Sequence, residues 1–223
     1  HRIQLKKEEV GKASSEEEES VTPANVTEFC IKNALGVFTN VIIFYNQIIT
    51  STENADTNGL KDIKKRIAFL QKKARMHRKL VSQLVKGTEE QDAEQAYFAI
   101  RKQDNLLEIL NCLNIITMAS NNHLVNHHKP INKMQFGDLR AINEKLSILL
   151  SAISQVLSQV DVNSTVDIEM LKSNTENEIE ISSKNEVKRI REETTGNRSS
   201  ILFMSILQET RNIVHFSNQV MKS

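Results

Sequence analysis

The sequence predicts an all-α chain of six helices, arranged as two antiparallel three-helix bundles built from a duplicated unit. Three observations carry this. With 6 Gly and 2 Pro in 223 residues, turn residues are too few for a β-sandwich or barrel, which takes a turn signal roughly every ten residues. Apolar residues recur at helical spacing through six segments. Hydrophobic residues make up 39% and aromatic residues 4% of the chain, which is lean but enough at this length to bury several helical stripes.

Residues 1–21 combine Arg2, Lys6 and Lys7 with the acidic run from Glu16 to Glu19; such a stretch has no face to bury and reads as a flexible polar tether. The first unit spans 22–130. Thr22 is expected to cap the first helix with Pro23 at its first position, and Leu35, Phe38, Val41, Ile42, Tyr45, Ile48 and Ile49 carry the stripe to about Ser51. A loop over Asn54 to Gly59 leads to a second stripe, Ile63, Ile67, Leu70, Ala74, Val81 and Leu84, closed by Gly87. Thr88 and Gln91 form a capping box for the third helix, so the two helices are antiparallel neighbours. The third carries Tyr97, Ile100, Leu106, Leu110, Leu113, Ile116 and Leu124 to His128, before Pro130.

The second unit, 131–223, repeats this plan. Leu139, Ile142, Leu146, Leu149, Ile153, Val156 and Val160 form the fourth stripe, and Ser164 is expected to cap a highly charged fifth helix reaching Thr195. Gly196 is expected to end it and Asn197 to cap the sixth. A shift of 92 residues lays Asn105, Ile109, Leu110, His123 and Asn126 on Asn197, Ile201, Leu202, His215 and Asn218, which suggests duplication.

Charge excludes some partners. Lys and Arg number 29 against 28 Asp and Glu, so there is no global attraction for nucleic acid or anionic lipid. The second helix is nevertheless strongly basic, from Lys61 to Lys86, with Asp62 as its acid. Lacking interleaved aromatics beyond Phe69, it reads as a solvated face or as a surface docking a membrane-embedded partner. Cys30 and Cys112 sit among apolar residues without metal-type spacing and are expected to be buried thiols. The longest apolar run, Val41 to Tyr45, is far short of the roughly 20 residues of a membrane span. The chain starts at His1 and reads as a soluble piece of a longer protein.

His123 and His127 are spaced to share one helical face, but no Glu follows His123, so the zinc-protease pattern is absent. Histidines in a last turn also complement the helix dipole. Glu176, Glu178 and Glu180 alternate and point in different directions, unlike a binuclear carboxylate site. No phosphate loop or nucleophile elbow occurs, so no enzymatic activity is expected. Thr195, Arg198 and Ser200 place hydroxyls and a guanidinium at a helix N-terminus, an arrangement suited to an anion.

The run from Glu193 to Phe203 (ETTGNRSSILF), with Leu207 to Asn212 (LQETRN), resembles the C-terminal cytosolic domain of bacterial inorganic phosphate transporters; His123 to Pro130 (HLVNHHKP) is similar to the ending of that domain's first unit. The resemblance spans roughly residues 25 to 222 and implies a fold like PhoU, a duplicated three-helix-bundle protein of phosphate regulation. PhoU proteins hold metal clusters on acidic motifs. Here Val214 and Asn122 stand where carboxylates should precede His215 and His123, so neither metal nor cofactor is carried over. The resemblance implies a regulatory domain on the cytoplasmic side of the inner membrane. It would dock on the membrane-embedded part of the same symporter or on a second copy, with the tether near the headgroups. Candidate regulatory or phosphate-contact residues are Thr195, Arg198, Ser200, Glu209, Arg211, His123, Asn126, His127, His215 and Asn218. The alternative is a free-standing PhoU-like adaptor contacting a sensor kinase.

Overall fold

A computed structural model describes residues 21–22, 25–85, 93–158 and 167–222. Six helices are present among them, α1 (Val26–Glu53), α2 (Thr57–Val85), α3 (Ala93–Val125), α4 (Lys133–Ser158), α5 (Ile168–Arg191) and α6 (Asn197–Lys222), and no strand. The all-α architecture and the number of helices follow the sequence periodicity. Residues 1–20 of the tether, Pro23, Gly87, the Thr88–Gln91 capping box and Ser164 lie outside the described residues.

Cross-helix bonds set the directions. Gln71 meets Asn111 and Arg78 meets Asp104, Asn143 meets Asn46, Lys145 meets Glu178, and Arg211 meets Glu180. Second contacts between Arg140 and Glu53, Gln135 and Glu186, and Ser183 and Met204 show that position rises along one helix as it falls along its neighbour, so these neighbours are antiparallel. The ends of α1, α3 and α5 and the beginnings of α2, α4 and α6 therefore gather at one end of the bundle. One core cluster takes residues from all six helices, among them Phe38, Tyr45, Ile67, Leu110, Ile142, Ile179 and Phe203. Each buried side chain of this size contributes about 1.5–3 kcal/mol relative to exposure. A smaller cluster of Val26, Phe29, Cys30, Val81 and Ala99 closes the other end.

Among the described residues α1 is the one helix long and apolar enough to cross a bilayer by length and composition. Its residues Phe38, Val41, Phe44, Tyr45 and Ile48 are buried against the other helices, the pattern of a core helix. No continuous apolar run signals this, because Asn33, Asn40, Asn46 and Gln47 interrupt the sequence.

Several boundaries differ from the sequence expectation. The first helix starts at Val26, beyond Thr22, because Asn25 Oδ1 accepts the Thr22 amide at 2.7 Å and Asn25 N–H returns to Thr22 O at 3.2 Å. The α1–α2 connection is only 54–56. Gly59 belongs to the first turn of α2, where its N–H caps on Asp56 Oδ1 at 2.9 Å; a Cβ there would collide with the Asp56 carboxylate and sit 2.8 Å from Ser51 Oγ. The α5 cap is Asp167, which accepts the Met170 amide at 2.9 Å. At the other end α5 stops at Arg191, short of Thr195, and Gly196 does not terminate it. Gly196 instead precedes α6, its carbonyl accepting Ser200 N–H at 2.9 Å, so Asn197 is the first helical residue rather than the cap.

The odd-numbered helices end alike. Asp56 N–H reaches Ser51 O at 2.8 Å, His128 N–H reaches His123 O at 3.2 Å and Thr194 N–H reaches Arg189 O at 3.0 Å, each a bond spanning five residues. The residue before each donor is left-handed, Ala55 at φ 53°, His127 at φ 52° and Glu193 at φ 53°. These are Schellman closures with a side chain at the position where glycine is ordinarily found. Closure at His127 is also why α3 ends at Val125 and not at His128.

Candidate functional site

The polar side chains converge where α3 and α5 end and α4 and α6 begin. Asn132 and Gln135 form a reciprocal capping box at the start of α4, each backbone N–H bonding the other's side-chain oxygen at 2.9 Å. That fixes Gln135 with its amide nitrogen aimed inward. Gln135 Nε2 donates to Glu186 Oε1 at 2.9 Å and to Thr195 Oγ1 at 3.2 Å. Glu186 is fully buried, and its second oxygen accepts from Arg189 Nε at 2.7 Å. Arg189 Nη2 continues to Asp138 at 2.8 Å, and its guanidinium lies 5.3 Å from the Phe203 ring centre. A buried carboxylate is tolerable here because both its oxygens are occupied by donors, one of them charged.

A second strand of the same junction fastens the α3–α4 connection. The Lys129 carbonyl accepts from Ser199 Oγ at 2.6 Å and from His123 Nε2 at 2.9 Å. Because the partner is a carbonyl, Nε2 of His123 carries the proton. Burial, and next the Lys129 bond acting in the opposite sense and the neighbouring His128, leave His123 below the ordinary histidine range. Thr195 and Ser200 pair through their hydroxyls at 3.2 Å.

Six of the ten sequence-predicted residues belong to this end of the bundle. His123, Thr195 and Ser200 are inside the network, while Asn126, His127 and Arg198 are exposed beside it. The hydroxyls expected to face an anion are turned toward each other and toward Gln135, and Ser200 is buried. Arg198 forms no ion pair among the described residues. The other four lie farther along α6, with Glu209 ~14 Å beyond Ser200 at 1.5 Å per residue. Glu209 accepts from Asn212 at 3.3 Å, Arg211 pairs with Glu180 at 3.4 Å, His215 is exposed against Phe216, and Asn218 is buried. The ten residues thus do not line one site. His123 and His127 share no metal geometry, since His123 is bonded into the connection and His127 is left-handed and exposed. Among the described residues no three His, Cys, Asp or Glu side chains are grouped to hold a metal ion.

Cys30 and Cys112 are buried free thiols. Burial, reinforced by the Glu209 carboxylate, pushes the Cys112 thiol far above its ordinary range, and burial raises Cys30 as well. Glu176, Glu178 and Glu180 go to different partners, Lys172, Lys145 and Lys184.

Sequence reasoning missed Asn132, Gln135, Glu186 and Arg189. The Asn-x-x-Gln spacing is a capping-box signal that was available in the chain. Glu186 and Arg189 carried no such signal, since an i,i+3 charge pair on a charged helix looks like any solvated pair. Burial agrees with the 92-residue shift at one pair, Leu110 and Leu202, which are both buried, and opposes it at three others. Ile109 is buried and Ile201 is 54% exposed; His123 is buried and His215 exposed; Asn126 is exposed and Asn218 buried. No protein-family model matches the chain, and no curated protein matches it.

Proposed function

We propose that this chain is a non-enzymatic, PhoU-like regulatory domain of a membrane inorganic phosphate transporter, acting by docking on the cytosolic face of the transporter. The observation that carries the reading is a junction between the two sequence runs on which the resemblance rests. Residues 123–130 and 193–203 are about 70 positions apart in the chain and are joined directly by the bond from Ser199 to the Lys129 carbonyl. A motif that serves packing has this form, with its hydroxyls consumed inside the fold. The reading also includes a duplicated pair of three-helix units, α1–α3 and α4–α6, sharing one core.

Docking alters transport only if the domain binds two states of the transporter unequally. The test is phosphate uptake by the full-length transporter with and without residues 25–223, under phosphate-rich and phosphate-poor growth. The reading expects uptake or its response to phosphate to change. Identical uptake in both conditions would sink it.

A further inference from the structure

The outer face of α2 carries charge mostly of one sign. α2 packs through Leu60, Ile63, Ile67, Gln71, Ala74 and Val81. On the opposite face Phe69 and Met76, two turns apart, are 63% and 52% exposed. Helical spacing sets Lys65, Lys72, Lys73 and Lys79 around them. None of these four lysines forms an ion pair among the described residues. The basic residues that do have partners lie toward the edges of the face: Arg78 pairs with Asp104, and Arg66 reaches Gln47 and the Phe44 ring. The face therefore presents four ammonium groups without an ion pair among the described residues, with the exposed Asp62 near its beginning, around two apolar side chains that are each more than half exposed.

The geometry points to an anionic lipid bilayer as the occupant of this face, with α2 lying flat along the headgroups and Phe69 and Met76 inserted between them. Charge complementarity argues for it, since lysines beside an anionic leaflet are each attracted by the surface potential. The residue types argue against the alternatives. Lysine is depleted at protein–protein interfaces, whereas clusters of lysine on one helix surface are drawn to anionic headgroups. Single-stranded nucleic acid is held by successive stacking aromatics, and Phe69 is the single Phe, Tyr or Trp of α2, its other ring, His77, being packed on Phe29. The inference stands on α2 alone and does not depend on the transporter reading.

The test is cosedimentation of the full 223-residue chain with phosphatidylcholine vesicles, with or without a quarter phosphatidylglycerol. Binding is expected to the anionic vesicles only, and to disappear between about 0.1 M and about 1 M salt as the Debye length falls from about 10 Å to about 3 Å. At about one factor of five per lysine, the double substitution Lys65→Glu, Lys72→Glu should weaken binding at least about 25-fold. Phe69→Ser should weaken it while keeping the salt dependence. Lys184→Glu with Lys188→Glu, on exposed α5 positions, should leave it unchanged. All these positions are exposed, and an unchanged circular dichroism spectrum shows that the variants fold. The inference is overturned by no binding to anionic vesicles at ~0.1 M salt, by full binding of the α2 double variant, or by equal loss in the α5 variant. Tighter binding of a single-stranded oligonucleotide that the α2 substitutions abolish would also overturn it.

Discussion

Tyr45 on α1 and Thr210 on α6, 165 positions apart, share a 2.6 Å hydrogen bond inside the core. Thr210 Oγ1 donates its own proton to Ile206 O at 2.7 Å, so the Tyr45 hydroxyl is the donor between the two. The bond ties the first and last helices together, and burial drives the Tyr45 hydroxyl well above the ordinary phenol range. Tyr45→Phe keeps the ring and removes one donor, leaving Thr210 its bond to the helix. The expected cost is about 1 kcal/mol in urea denaturation. Tyr45→Ala should cost about 3–5 kcal/mol by opening a cavity. A loss with Tyr45→Phe as large as with Tyr45→Ala would show that the hydroxyl, not the ring, holds this contact.

Gln135 is the hub of the polar junction because its amide supplies two protons that no carboxylate can supply. Gln135→Glu keeps the acceptor for Asn132 N–H but sets a second carboxylate against buried Glu186. At neutral pH it should lose about 2–3 kcal/mol. Like charges raise the pKa of the pair above the ordinary carboxylate range. The loss should therefore shrink as acidification supplies a proton to the pair, whereas Gln135→Leu should lose stability with no such recovery. Parallel pH profiles for the two variants would contradict the assignment.

His123 is held neutral in the fold, below its ordinary value. A histidine with a depressed folded pKa contributes stability that is present above its unfolded pKa and lost as pH falls through the folded one. Denaturation midpoints should drop between about pH 7.5 and about pH 5.5, on either side of the ordinary histidine value of ~6.5. His123→Gln retains a side-chain donor for the Lys129 carbonyl and should show a smaller drop. An unchanged drop would assign the pH dependence to other histidines.

The three helix endings at Ala55, His127 and Glu193 carry side chains in left-handed backbone, at a cost of roughly 1–2 kcal/mol each, part of which glycine's greater chain entropy would give back. Ala55→Gly, His127→Gly and Glu193→Gly should each stabilise the fold by about 0.5–1 kcal/mol. Thermal denaturation checks this; a lower midpoint in all three would mean the side chains make compensating contacts.

Helix number and stripe positions were legible because each depends on a period that the chain itself displays. Leu110, Ile142 and Leu202 are buried as their spacing requires. Boundaries were less legible. Gly196 looked like a left-handed terminator, yet the left-handed residue is Glu193. The closing bond from Thr194 to Arg189 tolerated a side chain there, and glycine went instead to the start of the next helix. Three of the ten candidate residues, His123, Thr195 and Ser200, did converge, because they flank two helix ends that meet.

By itself the sequence determined that the described residues fold as helices without strands and that α2 is basic, since periodicity and charge are properties of neighbouring residues. Only tertiary structure decided that Glu186 and Arg189 are buried while Lys184 and Lys188 on the same helix are exposed. Which face of a charged helix turns inward is set by its partners. Here α4 offers Gln135 and Asp138 at the matching level. A buried ion pair is tolerated only where such donors and acceptors already wait, and no local pattern records what a helix 51 positions away will supply.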